Sequence, residues 1–144
     1  MIRMKALILC TGNSCRSQMA QGFLQALNKD LIVCSAGTIP SSKVSEKAIA
    51  VMNEVGVDIS QYKSKSVEIF LDEAWDYVIT VCDDANETCP VFLGRVKNRL
   101  HFGFEDPSKV KGTEEHILDE FRRIRDEIKA RFYDLYFKQI KPQL

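Results

Sequence analysis

The chain has 144 residues, with 20 Lys and Arg against 20 Asp and Glu and a formal net charge of zero. A chain of this size can bury about 68–70% of its unfolded surface, so its core needs neither disulfide staples nor structural metal. The balanced charge excludes a surface built mainly to hold nucleic acid or anionic membrane nonspecifically. One domain over residues 1–144 is expected, monomeric and cytoplasmic. Neither a leader nor a membrane span is expected, because the apolar run 6–10 stops at Thr11, Gly12 and Asn13. In that reducing setting the five cysteines, Cys10, Cys15, Cys34, Cys82 and Cys89, serve chemistry or fill apolar space rather than form a permanent disulfide framework.

In chain order, an apolar run at 4–10 predicts a strand. After Arg16, Met19, Ala20, Phe23, Leu24 and Leu27 share one face of a helix. A second strand is expected at 31–36, followed after Ser42 by a helix carrying Ala48, Ile49, Met52 and Val55, with Gly56 as its stop. Strands at 77–82 and 99–102 come next, then a mobile loop at 109–113. A long last helix follows, because Ile117, Phe121, Ile124, Ile128, Phe132 and Leu135 recur at steps of three and four behind Glu114 and Glu115. Residues 138–144 read as a frayed tail. Strands alternating with helices imply crossover connections, most simply a doubly wound α/β domain with a four-stranded parallel sheet and helices on both faces. Ligands of such folds sit beyond the carboxyl ends of the strands.

That location is occupied by Cys10-Thr11-Gly12-Asn13-Ser14-Cys15-Arg16-Ser17, between the first strand and the first helix. A loop of small residues entering a helix can turn several backbone N–H groups inward, making a nest for a tetrahedral oxyanion. Arg16 can add a planar bidentate clamp. The same positive field favours thiolate at Cys10, below the ordinary value of about 8.5, and Ser17 can donate a further hydrogen bond to it. A cysteine alone at a strand end is usually a small buried hydrophobe. A cysteine six positions before an arginine, with Gly and Asn between, points instead to oxyanion chemistry at sulfur.

Residues 10–20 resemble the signature loop of the low-molecular-weight protein tyrosine phosphatases and, among their relatives, the thioredoxin-coupled arsenate reductases. Ser35-Ala36-Gly37, the turn at 56–60, residues 76–90 and Phe104-Glu105-Asp106-Pro107 extend the resemblance over nearly the whole chain. It implies a flavodoxin-like sheet of strand order 2-1-3-4. It also implies that Cys82 and Cys89 are the resolving cysteines of a reductase, which plain phosphatases do not need. If the strands ending in Cys10 and Cys82 are neighbours, their backbones lie about 5 Å apart, which suits a disulfide. Cys82 and Cys89 would be separated by roughly 10 Å of rise on a regular helix, so pairing them requires that segment to rearrange. Zinc is the weaker alternative, because the chain offers only His101 and His116 beside its thiols. No metal or other cofactor is expected. Cys34 reads as core and Cys15 as a loop component able to cross-link to Cys10 under oxidation.

Asp106-Pro107 alone would pass for a surface turn. The resemblance makes Asp106 the general acid. Where the phosphatases follow it with tyrosines, this chain has Ser108 and Lys109, a departure that argues against phosphotyrosine peptides as substrate. Some reductases build a potassium site beside the loop from an Asn, a Ser and two acidic residues. Asn13 and Ser35 match, but the acidic positions are Gln21 and Lys65, so no such site is expected, and Lys65 could set its ammonium there. The expected function is arsenate reduction by a Cys10, Cys82, Cys89 relay, with a small oxyanion substrate and thioredoxin or another dithiol as reductant. The alternatives are a phosphomonoesterase working through a phosphocysteine, and a nonenzymatic module that binds oxyanions or senses oxidant.

Overall fold

A computed structural model of the protein describes residues 3–82 and 92–144. β1 (Lys5–Cys10) lies between β2 (Ile32–Gly37) and β3 (Trp75–Thr80), and β4 (Val96–His101) completes a parallel sheet of order β2-β1-β3-β4. This is the order the resemblance implied. β1 is apolar and buried from Ala6 to Cys10, as a parallel strand covered on both faces requires. α1 (Arg16–Leu27) crosses from β1 to β2, and α2 (Glu46–Glu54) and α3 (Glu114–Leu135) pack beside it.

Alternation along β1 divides the interior. Ala6, Ile8 and Cys10 enter a large core with side chains of all three α-helices, while Leu7 and Leu9 enter a smaller cluster with Val67, Trp75 and Val78. Among the described residues, helical cover on that second face comes from a 3-10 turn at Val67–Phe70. Capping follows the side chains available. Ser45 Oγ accepts from Ala48 N–H to open α2, Gly56 at φ +79° follows its end, and Thr113 Oγ1 accepts from His116 N–H to open α3. No described helix is long and apolar enough to cross a membrane.

Three boundaries differ from the sequence expectation. β3 spans Trp75–Thr80 rather than 77–82, because its pairing with β4 begins at Trp75, and Val81 and Cys82 follow the strand. β4 spans Val96–His101 rather than 99–102, because it is an edge strand whose residues alternate between exposed and half-buried, and backbone pairing with β3 rather than apolar content defines it. The tail is not frayed. The chain continues from α3 through a π-helical turn at Tyr136–Ile140 and a 3-10 turn at Lys141–Gln143. Phe132, Tyr136 and Ile140 keep the step of four and are buried, and Gln143 Nε2 donates to Tyr77 Oη over 2.9 Å.

Candidate active site

The loop from Cys10 to Ser17 joins the carboxyl end of β1 to the start of α1 and is turned inside out by its neighbours. The Cys10, Thr11 and Gly12 carbonyls accept from the N–H groups of Thr38, Ile39 and Ser41, and the Ser14 carbonyl accepts from Ser45 N–H. Ser64 Oγ also donates to the Gly12 carbonyl over 3.0 Å. With the carbonyls held outward, N–H groups face the thiol: Asn13 N–H donates to Cys10 Sγ over 3.1 Å, and Ser17 N–H donates to it as well. Two backbone features permit this path. Asn13 adopts φ +51°, a left-handed conformation that Asn tolerates through its short polar side chain. Gly37 passes so close that a Cβ there would lie 2.4 Å from the Thr11 carbonyl oxygen.

Cys10, Cys15 and Cys82 are buried free thiols, and Cys34 is a half-buried one at the edge of the smaller cluster. The Cys10 thiol is pulled down to about 6, first by a hydrogen bond with the Cys82 side chain. Burial opposes the shift; the Ser17 hydroxyl, at 3.0 Å, and the Asn13 and Ser17 N–H groups reinforce it. Cys82 lies two residues beyond β3, where Val81 N–H still pairs with the Leu9 carbonyl. β1 and β3 are neighbours, Cys82 follows β3 on the side of Cys10, and Thr11 N–H donates to Cys82 Sγ over 3.1 Å. Cys89 lies outside the described residues.

Arg16, the first residue of α1, is buried, with Nη1 donating to the Phe104 carbonyl over 3.0 Å and Nη2 3.5 Å from Asp106 Oδ2. No acidic side chain occupies the first turn of α1, so its positive end is left to the loop. Asp106 Oδ1 accepts from Ser108 Oγ at 2.6 Å and Ser108 N–H at 3.0 Å. Burial opposes ionisation of Asp106, yet Ser108, Arg16 and Lys109 hold its carboxyl below the usual range. Cys15 Sγ donates weakly to the same oxygen at 3.8 Å, and burial, followed by the Asp106 and Cys10 charges, pushes this thiol up to about 12. Cys15 is therefore a protonated loop component, a poor nucleophile beside Cys10.

Asn13, Ser17, Ser35 and Gln21 form one hydrogen-bonded cluster behind the thiol. That donor set does not suit a cation: Asn13 Oδ1 is taken by Lys65 N–H, the Ser35 proton by Gln21, and none of these residues brings a carboxylate. The Lys65 ammonium does not fill the position either; it donates to the Lys63 carbonyl at 2.6 Å, and burial pulls its pKa down. Two supports escaped sequence reasoning. Gln18, fully buried, clamps the loop from behind by donating to the Asn13 and Lys63 carbonyls. Ser108 fixes Asp106, and its signal was present as a serine two positions after an aspartate, a pattern that closes a local side-chain turn.

Residues 5–144 match the family of low molecular weight phosphotyrosine protein phosphatases. An arsenate reductase of Shouchella clausii is 48% identical over 124 residues, covering 85% of this chain and 88% of that protein. A solved arsenate reductase in the phosphate-binding state superposes with a TM-score of 0.79 at 34% identity, covering 94% of this chain and 98% of the other. A thioredoxin-dependent arsenate reductase of Corynebacterium glutamicum superposes with a TM-score of 0.71 at 25% identity, covering all of this chain and 64% of that one. With the family match running over residues 5–144 and relatives of up to 48% identity spanning most of its length, the chain belongs to the low molecular weight phosphotyrosine protein phosphatase family.

Proposed function

We propose that residues 1–144 act as a single-domain cytoplasmic arsenate reductase. The observation that carries this reading is the sulfur pair: Cys82 follows the strand beside Cys10, accepts from the loop N–H of Thr11 over 3.1 Å and is the foremost cause of the lowered Cys10 pKa, a second thiol for which ester hydrolysis has no use. Arsenate, with the shape and charge of phosphate, enters the loop, and the Cys10 thiolate attacks arsenic. One arsenic oxygen leaves as water on proton transfer from Asp106, which takes up that proton as the anion enters and offsets the field of Arg16. The loop N–H groups and Arg16 hold the remaining oxygens.

Cys82, as thiolate, then attacks Cys10 sulfur. The sulfur–arsenic bond breaks with its electron pair on arsenic, so arsenic(V) leaves as arsenite while Cys10 and Cys82 become a disulfide. Thiol exchange by Cys89 at Cys82 frees Cys10 and moves the disulfide outward, where a dithiol reductant of the thioredoxin type reduces it. Cys89 takes this role by resemblance of sequence, and thioredoxin by the description of the Corynebacterium relative. Slow hydrolysis of phosphate esters is expected beside it, because Cys10, Arg16 and Asp106 would serve both reactions.

The test follows arsenate-dependent NADPH oxidation with thioredoxin and thioredoxin reductase, alongside nitrophenyl phosphate hydrolysis. Cys82→Ser and Cys89→Ser should each abolish reduction while keeping hydrolysis. A wild-type protein that hydrolyses the ester but never reduces arsenate is a phosphatase, and the proposal fails.

A further inference from the structure

Behind the nucleophile, the hydrogen bonds run in one direction. Gln21 Nε2 donates to the Val33 carbonyl over 3.1 Å, which leaves Gln21 Oε1 facing Ser35, and the Ser35 hydroxyl donates to it over 2.6 Å. With its proton spent there, Ser35 Oγ is an acceptor toward Asn13 Nδ2, at 2.9 Å. Asn13 Nδ2 places its other hydrogen on Ser17 Oγ at 2.8 Å, while Asn13 Oδ1 accepts from Lys65 N–H at 2.9 Å. The Ser17 hydroxyl, already accepting from Asn13, turns its own proton to Cys10 Sγ at 3.0 Å. Two backbone groups set the direction: the Val33 carbonyl orients the Gln21 amide at one end, and the Lys65 N–H orients the Asn13 amide at the other.

Reversing the Gln21 amide would set its oxygen against the Val33 carbonyl oxygen and aim an N–H at Ser35. Ser35 would then have a free proton facing the Asn13 NH₂, two donors in opposition. Asn13, Ser17 and Ser35 are all fully buried, so water does not repair such a mismatch. We propose that Gln21 is a positioning residue which, through Ser35 and Asn13, holds the Ser17 hydroxyl as a donor to the Cys10 thiolate, a role that rests on Cys10 being the attacking sulfur. The Gln21 side chain hydrogen-bonds the Val33 carbonyl and the Ser35 hydroxyl and acts on Cys10 through the relay.

Gln25, one helical turn further along α1, supplies the control. It also bonds the backbone of the β2 segment, donating to the Leu31 carbonyl over 2.8 Å and accepting from Val33 N–H over 3.2 Å. The experiment measures the pH dependence of iodoacetamide alkylation at Cys10 by peptide-resolved mass spectrometry, with thermal unfolding in parallel. Gln21→Met should raise the midpoint by about 0.5–1 pH unit, which is roughly three- to tenfold less thiolate below it. Ser35→Ala should shift it the same way, and Gln25→Met should leave it at the wild-type value even where stability falls. In a Ser17→Ala background Gln21→Met should add nothing. An unchanged midpoint in Gln21→Met overturns the proposal. So does an equal rise in Gln25→Met, or full additivity with Ser17→Ala. Should Gln21→Met not fold, Ser35→Ala alone and in the Ser17→Ala background decides by the same criteria. Alkylation needs no turnover, so failure of arsenate reduction would leave this comparison intact.

Discussion

Thr11 N–H donates to Cys82 Sγ over 3.1 Å, while the N–H of Asn13, two residues on, donates to Cys10 Sγ over the same distance. The loop therefore serves two sulfurs. A hydrogen bond to a charged acceptor is roughly twice as strong as one between neutral groups, so each sulfur finds a donor ready when it carries the negative charge.

The Cys10 thiol, lowered to about 6, is the charged form above that pH, so its alkylation rate should climb through pH 6 and level off before pH 8. Cys82→Ala removes the largest lowering hydrogen bond. It should move the midpoint up by about 1–2 units, the range expected for one bond to a charged group. Cys15, at about 12, should stay unmodified at pH 8 until the protein is unfolded. Site-resolved mass spectrometry reads both, and an unmoved midpoint in Cys82→Ala would show that the two thiols do not interact.

Ser108→Ala removes the 2.6 Å hydroxyl bond to Asp106 and leaves the residue 108 backbone N–H with the longer Arg16 and Cys15 contacts. The Asp106 carboxyl should rise toward its ordinary range and lose its fixed orientation. Steady-state arsenate reduction should show kcat falling roughly three- to tenfold with KM nearly constant, a fraction of the 10²–10⁴ that a general acid contributes. A fall in KM-linked binding alone would place Ser108 in substrate contact instead.

Ile140 is fully buried and Leu144 largely exposed, although both lie in a tail whose sequence suggests fraying. Ile140→Ala should destabilise the protein by about 2–5 kcal/mol, and Leu144→Ala by less than about 0.5 kcal/mol. Urea unfolding separates the two; equal small effects would mean that the tail is loose.

Much of the site was legible because its chemistry is local. Residues 10–17 are contiguous, and a strand, a small-residue loop and a helix in succession leave few ways to arrange them. Asp106 was readable only through family resemblance, since Asp-Pro has an ordinary use in turns. β4 was misplaced because an edge strand is defined by pairing to its neighbour, which hydrophobic periodicity does not register. Ile140 was missed because one apolar residue among polar ones carries too little signal to predict its burial.

The sequence by itself determined the alternation of strands and helices and the small-residue loop that carries Cys10 between β1 and α1, since each depends on residues a few positions apart. Only the tertiary structure decided which partners those residues take. That Thr11 serves Cys82, that Ser108 holds Asp106 against Arg16, and that Gln21 ends a relay begun at Cys10 all depend on hydrogen-bond direction and distance. Those are set by how β1, β2, β3 and the turn after β4 converge at one edge of the sheet, and a directional contact of about 3 Å leaves no periodic trace along the chain.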